Sequence, residues 1–168
     1  MTKAFITFHP NDRKYADEFV EKFGDVVTAT LIGVGEKDDF IKDANEAAFI
    51  EREVRERYLK STTVTIMLAG KCTWSQRFVD WEIASSIRKD AERGRSALLG
   101  IRLPYMASGP TTVPERFQDN LKNGYALMKT YPTSPEDLRD WIVTALERRD
   151  TITPDNTRPL LKKNAGCK

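Results

Sequence analysis

The sequence contains a single histidine, His9, and only two cysteines, Cys72 and Cys167. One histidine excludes a histidine-based metal centre, and no Cys or Ser motif accompanies it to make a hydrolytic triad. Two cysteines so far apart, one of them in the tail, suggest neither a disulfide framework nor a metal site, which suits a reducing compartment. No apolar run approaches the ~20 residues of a membrane span, and the N-terminus has no basic stretch leading into an apolar signal segment. A cytoplasmic protein without a membrane partner is expected. Charge of one sign is missing too: 27 Lys and Arg against 25 Asp and Glu leave +2. The signs alternate along the chain instead of forming blocks, which predicts no nucleic-acid partner. No internal repeat is present.

What is there is a strand-and-helix rhythm in 168 residues, 40% of them apolar, enough for one domain with a sizeable core. The first strand is Ala4 to Phe8, followed by the turn-rich "HPND". A helix follows from about Asp12 to Phe23, with Tyr15, Phe19 and Phe23 on one stripe and Gly24 at its end. Val26 to Ile32 reads as a second strand. The polar stretch 33–47, with Asp38, Asp39 and Asp43, is long for a connection and is expected to be functional or mobile. Ala48 to Lys60 reads as a helix, and Thr63 to Ala69 as a strand buried on both faces. Ser75 is expected to cap a helix reaching about Glu92, with Gly94 ending it. Ala97 to Leu103 is a fourth strand. An irregular segment, 104–124, holds at most a short helix at Glu115 to Leu121. Tyr125 to Met128 is a fifth strand, and Ser134 caps a last helix with Pro135 at its first position, running to about Arg149. Strands alternating with helices predict an α/β, three-layer α/β/α parallel sheet with helices on both faces; the order expected of it is the flavodoxin-like 2-1-3-4-5. The domain is expected over residues 1–150, with 151–168 a loosely held tail.

Three nucleotide- or phosphate-handling motifs fail on inspection. "AGKC" is similar to the end of a phosphate-binding loop, but Thr65 stands where that motif needs glycine, and the lysine lacks its Ser or Thr partner. "GVGEKD" begins like a dinucleotide fingerprint, yet Asp38 occupies the third glycine position. A phosphoacceptor receiver would need an acidic pair after the first strand and an aspartate ending the third; only Asp12 and "AGK" are offered. His9, just past a strand end, is either a ligand contact or a turn histidine with local hydrogen bonds. Asp12 is expected to cap the first helix. Asp43 is the acid of the 33–47 stretch kept as a ligand contact.

Glu82 stands out because no basic residue lies three or four positions away: Phe78, Val79, Ser85 and Ser86 occupy those places, so an ion pair within its own helix is unavailable. On a wheel of about 100° per residue, Val79, Ile83 and Ile87 face the core, Glu82 lies on the flank, and Trp81 points outward. An outward tryptophan is expected either at a protein–protein contact or covering its own neighbours. The helix follows the third strand, so its early turns stand near the strands' carboxyl ends, the ligand-binding edge of open parallel sheets. His9 opens onto the same edge.

These residues carry a resemblance. "FITFHPND" (Phe5 to Asp12) resembles box 1 of TIR domains, with Thr7 in place of its serine. "SQRFVDWEI" resembles their third-helix element, with Ser75, Phe78 for the usual tryptophan, Val79 for cysteine, and Glu82 for its glutamate. The first strand ending in Phe-His, the third strand "TTVTIMLAG" and the glutamate helix together resemble the TIR-like proteins of the bacterial Thoeris anti-phage system. The likeness covers about residues 3 to 103. It implies an enzyme, an NAD⁺ nucleosidase or ADP-ribosyl cyclase that takes NAD⁺ as substrate, needs no cofactor or metal, and produces a cyclic ADP-ribose-type signal. It further implies homo-oligomerisation on activation, a separate effector reached through the small nucleotide, and a phage protein as trigger. Glu82 would be the catalytic carboxylate, Phe8 and Phe78 would line the nicotinamide or ribose pocket with His9 and Asp43 as further substrate contacts, and the 33–47 stretch would gate it. A non-catalytic TIR-like adaptor and a nucleoside deoxyribosyltransferase-like enzyme are the alternatives.

Overall fold

Where the sequence alternates β-branched runs with amphipathic stretches, the chain forms strand and helix in turn. The computed structural model describes residues 1–31, 47–91, 93–106 and 108–168. In chain order the elements are β1 (Thr2–Phe8), α1 (Arg13–Lys22), β2 (Val27–Leu31), α2 (Ala47–Val54), β3 (Val64–Ala69), α3 (Arg77–Ile87), β4 (Ala97–Arg102), α4 (Glu115–Lys122), β5 (Ala126–Lys129) and α5 (Pro135–Thr151). All four strand pairings are parallel, in the order β2-β1-β3-β4-β5. This is the α/β flavodoxin-like sheet that the alternation predicts. Every residue of β3 is buried, as a strand covered on both faces must be.

Side chains alternate across the sheet and divide the core into two layers. Ala4, Ile6 and Phe8 of β1, with Ile66, Leu68 and Leu99, pack against Phe19 of α1 and Leu138 and Ile142 of α5. On the opposite face Met67, Ala69 and Leu98 meet Val79 and Ile83 of α3 and Phe117 of α4. Phe5 joins Val54, Leu59 and Trp81 in a third cluster on that same side. Gly100 lets α4 come close: a Cβ there would meet Phe117 Cζ at 2.6 Å and Met128 Sδ at 2.5 Å.

Several boundaries differ from expectation, each for a local reason. Ser75 does not cap α3; it ends a 3-10 turn, Thr73–Ser75, and its hydroxyl donates to the Cys72 carbonyl at 2.7 Å. The helix stops at Ile87, well before Gly94, because Arg88 is extended. The Ser86 carbonyl, a C-terminal acceptor of the helix, takes the Ser96 N–H at 2.8 Å and Arg93 Nη1 at 3.4 Å. α2 continues as a π-helical stretch, Arg55–Leu59. The cap of α5 is as expected: Ser134 and Asp137 form a reciprocal capping box, with Pro135 in the first turn.

The tail departs most from its expected looseness. Residues beyond α5 pack along α4 and α3, and Cys72 is joined to Cys167 by a disulfide, with Cα atoms 5.7 Å apart. A sequence separation of 95 hides this, because the tail returns to the turn after β3. Leu161 makes two hydrogen bonds to α3: its N–H donates to Asp80 Oδ2 at 2.9 Å, and its carbonyl accepts from Trp81 Nε1 at 2.7 Å. Among the described residues no helix is long and apolar enough to cross a membrane.

Candidate functional site

The site is built at the carboxyl end of β1, where alternate residues point towards α3. Thr7 is buried, and its hydroxyl donates to Glu82 Oε2. Glu82 is only 4% exposed. Burial pushes its carboxyl up to about 8, against a smaller downward pull from the Thr7 hydrogen bond. A carboxyl in these surroundings is largely protonated at neutral pH.

The flank position expected for Glu82 on an isolated wheel is therefore corrected to a buried one. Every residue from Val79 to Ile87 is buried, because α2, α4 and the returning tail cover the faces that a lone helix would leave to solvent. Trp81 is corrected in the same way. It is 5% exposed, packs with Phe5, Val54 and Leu59, and spends its N–H on the tail. Hydroxyl groups tie the helix to the sheet: Thr65 donates to Ser86 Oγ at 2.7 Å, and Ser86 donates to the Glu82 carbonyl at 2.8 Å.

His9 lies beyond Thr7 and is buried. Its Nδ1 accepts from the Asn11 N–H at 3.0 Å, and its Nε2 lies 3.0 Å from the Gln76 side-chain amide. With Nδ1 accepting, the neutral ring carries its proton on Nε2, the nitrogen that faces the Gln76 amide group. Burial lowers the His9 pKa, while the charge of Asp12 pulls it back up. This imidazole is held neutral, with both nitrogens engaged. Gln76 precedes α3 directly, so His9 touches the start of the helix that carries Glu82.

Asp12 makes no side-chain cap bond to α1. Its carboxylate instead accepts from the Tyr105 hydroxyl at 2.8 Å, and that hydroxyl accepts from the Lys71 N–H at 2.9 Å. Burial raises the Asp12 pKa, and the Tyr105 bond and His9 lower it. Gly70 leaves room for this bond: a Cβ would lie 2.1 Å from Asp12 Oδ2 and 2.3 Å from the Tyr105 hydroxyl, so one of the two side chains would have to move. The ends of β1, β3 and β4 are thereby locked together beside the site.

Of the anticipated site residues, the structure brings Glu82, Phe78 and His9 to one side of the sheet. Phe78, one helical turn from Glu82, is half-buried, stands edge-on to Trp81 at 5.3 Å, and lies under the Arg77 guanidinium at 4.9 Å. Phe8 is not brought there. It belongs to the core under α1 and α5, with the Arg13 guanidinium 5.9 Å from its ring centroid, because its odd-numbered neighbours take the α3 side. Asp43 and most of the stretch 33–47 lie outside the described residues. Thr7, Gln76 and Tyr105 were not anticipated. The Thr7 hydroxyl, on the same face of β1 as His9, was the one signal that pointed to any of them.

The arrangement holds the Glu82 carboxyl screened from water and bonded to the Thr7 hydroxyl, and a carboxyl so placed can stabilise positive charge brought against it. The sequence profile of the family described as Thoeris protein ThsB, TIR-like domain, matches residues 5–108, a span that takes in the end of β1 and the whole of β3, α3 and β4. No curated protein matches the chain.

Proposed function

The chain belongs to the TIR-like domain family of the Thoeris protein ThsB, and from that premise we propose that it cleaves the nicotinamide–ribose bond of NAD⁺. The family ties the chain to Thoeris-type defence signalling; the NAD⁺ chemistry, the cyclic product and the site roles are the proposal. One observation carries it: the buried carboxyl group of Glu82, held by Thr7 on the helix after β3.

The chemistry suits one carboxylate. At rest Glu82 is protonated, its carboxyl pushed up to about 8. A bound nicotinamide cation favours the ionised form, and the proton passes to solvent. Cleavage of the C1′–N bond leaves its electron pair on nicotinamide, which departs neutral, so no general acid is needed. Positive charge develops on the ribose, and a carboxylate already in place stabilises it without reorganisation. An adenosine-side nucleophile folded back onto C1′ then closes the ring and releases a proton; water in its place gives linear ADP-ribose. Phe78 offers an apolar wall one turn from Glu82. In this proposal the cyclic nucleotide reaches a separate effector, copies of the chain associate on activation, and a phage protein is the trigger.

The deep burial of Glu82 favours a second reading, a non-catalytic adaptor in which this carboxyl only joins α3 to β1. Incubation with NAD⁺, with chromatography and mass spectrometry of the products, separates the two. Nicotinamide release with linear or cyclised ADP-ribose supports the enzyme. No turnover in any assembly state supports the adaptor.

A further inference from the structure

The tail makes an ordered series of contacts along the outside of α3, moving towards its N-terminus. Asn156 Nδ2 donates to the Ala84 carbonyl at 3.1 Å, and Leu161 bonds Asp80 and Trp81 as above. The Lys162 carbonyl accepts from Arg77 at 3.3 Å, Asn164 Oδ1 accepts from the Arg77 N–H at 2.9 Å, and the Ala165 N–H donates to the Ser75 carbonyl at 2.9 Å. Cys167 then closes the path on Cys72.

These contacts supply something that α3 lacks. Its first amides need an acceptor, yet Gln76 makes no cap bond and the Ser75 hydroxyl is spent on Cys72. Asn164, 87 residues away from Arg77 along the chain, takes the cap's place. The first turn of the helix bearing Phe78 and Glu82 is therefore capped from the tail. Residues 162–166 are exposed, so a reductant can approach the link. The tail's root is held separately by Asp80, Trp81 and Arg116.

We infer that residues 162–167 are a strap positioning the N-terminal turn of the Glu82 helix, and that the Cys72–Cys167 disulfide is its reducible latch. A dithiol opens it by exchange: one thiolate attacks a cystine sulfur, the other displaces the resulting mixed disulfide, and the reductant leaves as its own disulfide. Cys72 and Cys167 each gain a proton and an electron. The freed strap lets Asn164 leave the Arg77 amide, and the first turn of α3 frays while the tail's root stays docked. Asn164 and Cys167 are positioning residues. The effect on turnover rests on the proposed NAD⁺ activity; the effect on the helix does not.

Hydrogen exchange on the full chain, purified without reductant, tests the strap. Peptides covering residues 77–79 should exchange about fivefold faster or more after dithiothreitol, the size of change that loss of one N-cap produces. Cys167→Ser should match the reduced parent and be insensitive to dithiothreitol. Asn164→Ala should loosen the same amides with the disulfide intact, and Asn164→Asp, which keeps an acceptor, should restore them. NAD⁺ turnover should fall in the loosened forms and recover with Asn164→Asp. Two free thiols in the purified protein, or unchanged exchange at 77–79 on reduction, overturns the strap and its latch. A parent inactive on NAD⁺ in both redox states overturns the enzymatic role of Glu82 instead, and exchange at 77–79 still decides the strap.

Discussion

With its carboxyl pushed up to about 8 from an ordinary 4.5, Glu82 holds a proton in the folded chain that the unfolded chain releases. Between those two values the folded state binds more protons, so raising the pH through the window lowers stability. The contribution is whole below pH 4.5 and lost by about pH 8, at a slope of at most ~1.4 kcal/mol per pH unit. Glu82→Gln cannot ionise and keeps the acceptor for Thr7. Its melting temperature should match the parent's near pH 4.5, and from there to pH 8 it should fall less, standing above the parent. NAD⁺ cleavage should drop by ~100-fold or more, the scale of losing a preorganised electrostatic partner. Parental turnover in this variant removes Glu82 from the mechanism. A variant that melts lower at every pH, with activity per folded molecule intact, marks the carboxyl as structural.

The third helix is held by ties from three directions, and two of them can be cut singly. Asp80 and Arg116 form an ion pair with side chains 2% and 1% exposed, and the same guanidinium reaches Asn156 and the Pro159 carbonyl. Removing one partner of such a pair leaves an uncompensated buried charge and costs ~3–5 kcal/mol. Arg116→Met should therefore lower the unfolding free energy by that amount, read in denaturant as a lower midpoint at an unchanged slope, and a midpoint within error of the parent would show that the pair is not closed in solution. Trp81→Ala removes a buried ring and its bond to the tail, with an expected loss of ~3–5 kcal/mol. Its sedimentation should equal the parent's, since the ring lies inside the molecule. A changed assembly state with unchanged stability would return Trp81 to the surface.

Across the molecule the central strand decides whether anything folds. Ile66 is fully buried and pairs in register with Ile6 on one side and Leu99 on the other. An aspartate there would carry an unpaired charge into a layer covered by α1 and α5, at a cost of several kcal/mol. Ile66→Asp should yield no soluble, cooperatively melting protein; a sharp thermal transition in that variant would mean β3 is not central.

The alternation of strand and helix, the continuous apolar run of β3 and the caps of single elements are local properties, and they carried the parallel sheet, β3 inside it and the Ser134 cap from residues alone. Glu82 stood out as a candidate for the same reason, since its missing intrahelical partner and its place after β3 are both local. What a helix touches on its far side is not local. Whether Trp81 and Glu82 met water, whether Phe8 shared a face with Phe78, and whether Cys72 had a partner depended on segments far away in sequence. Residues 156–167 return to α3, and Tyr105 reaches across to Asp12 from the end of β4. The free energies that bring them there come from burial and hydrogen bonds made only after the sheet has formed, so no window along the chain contains both partners.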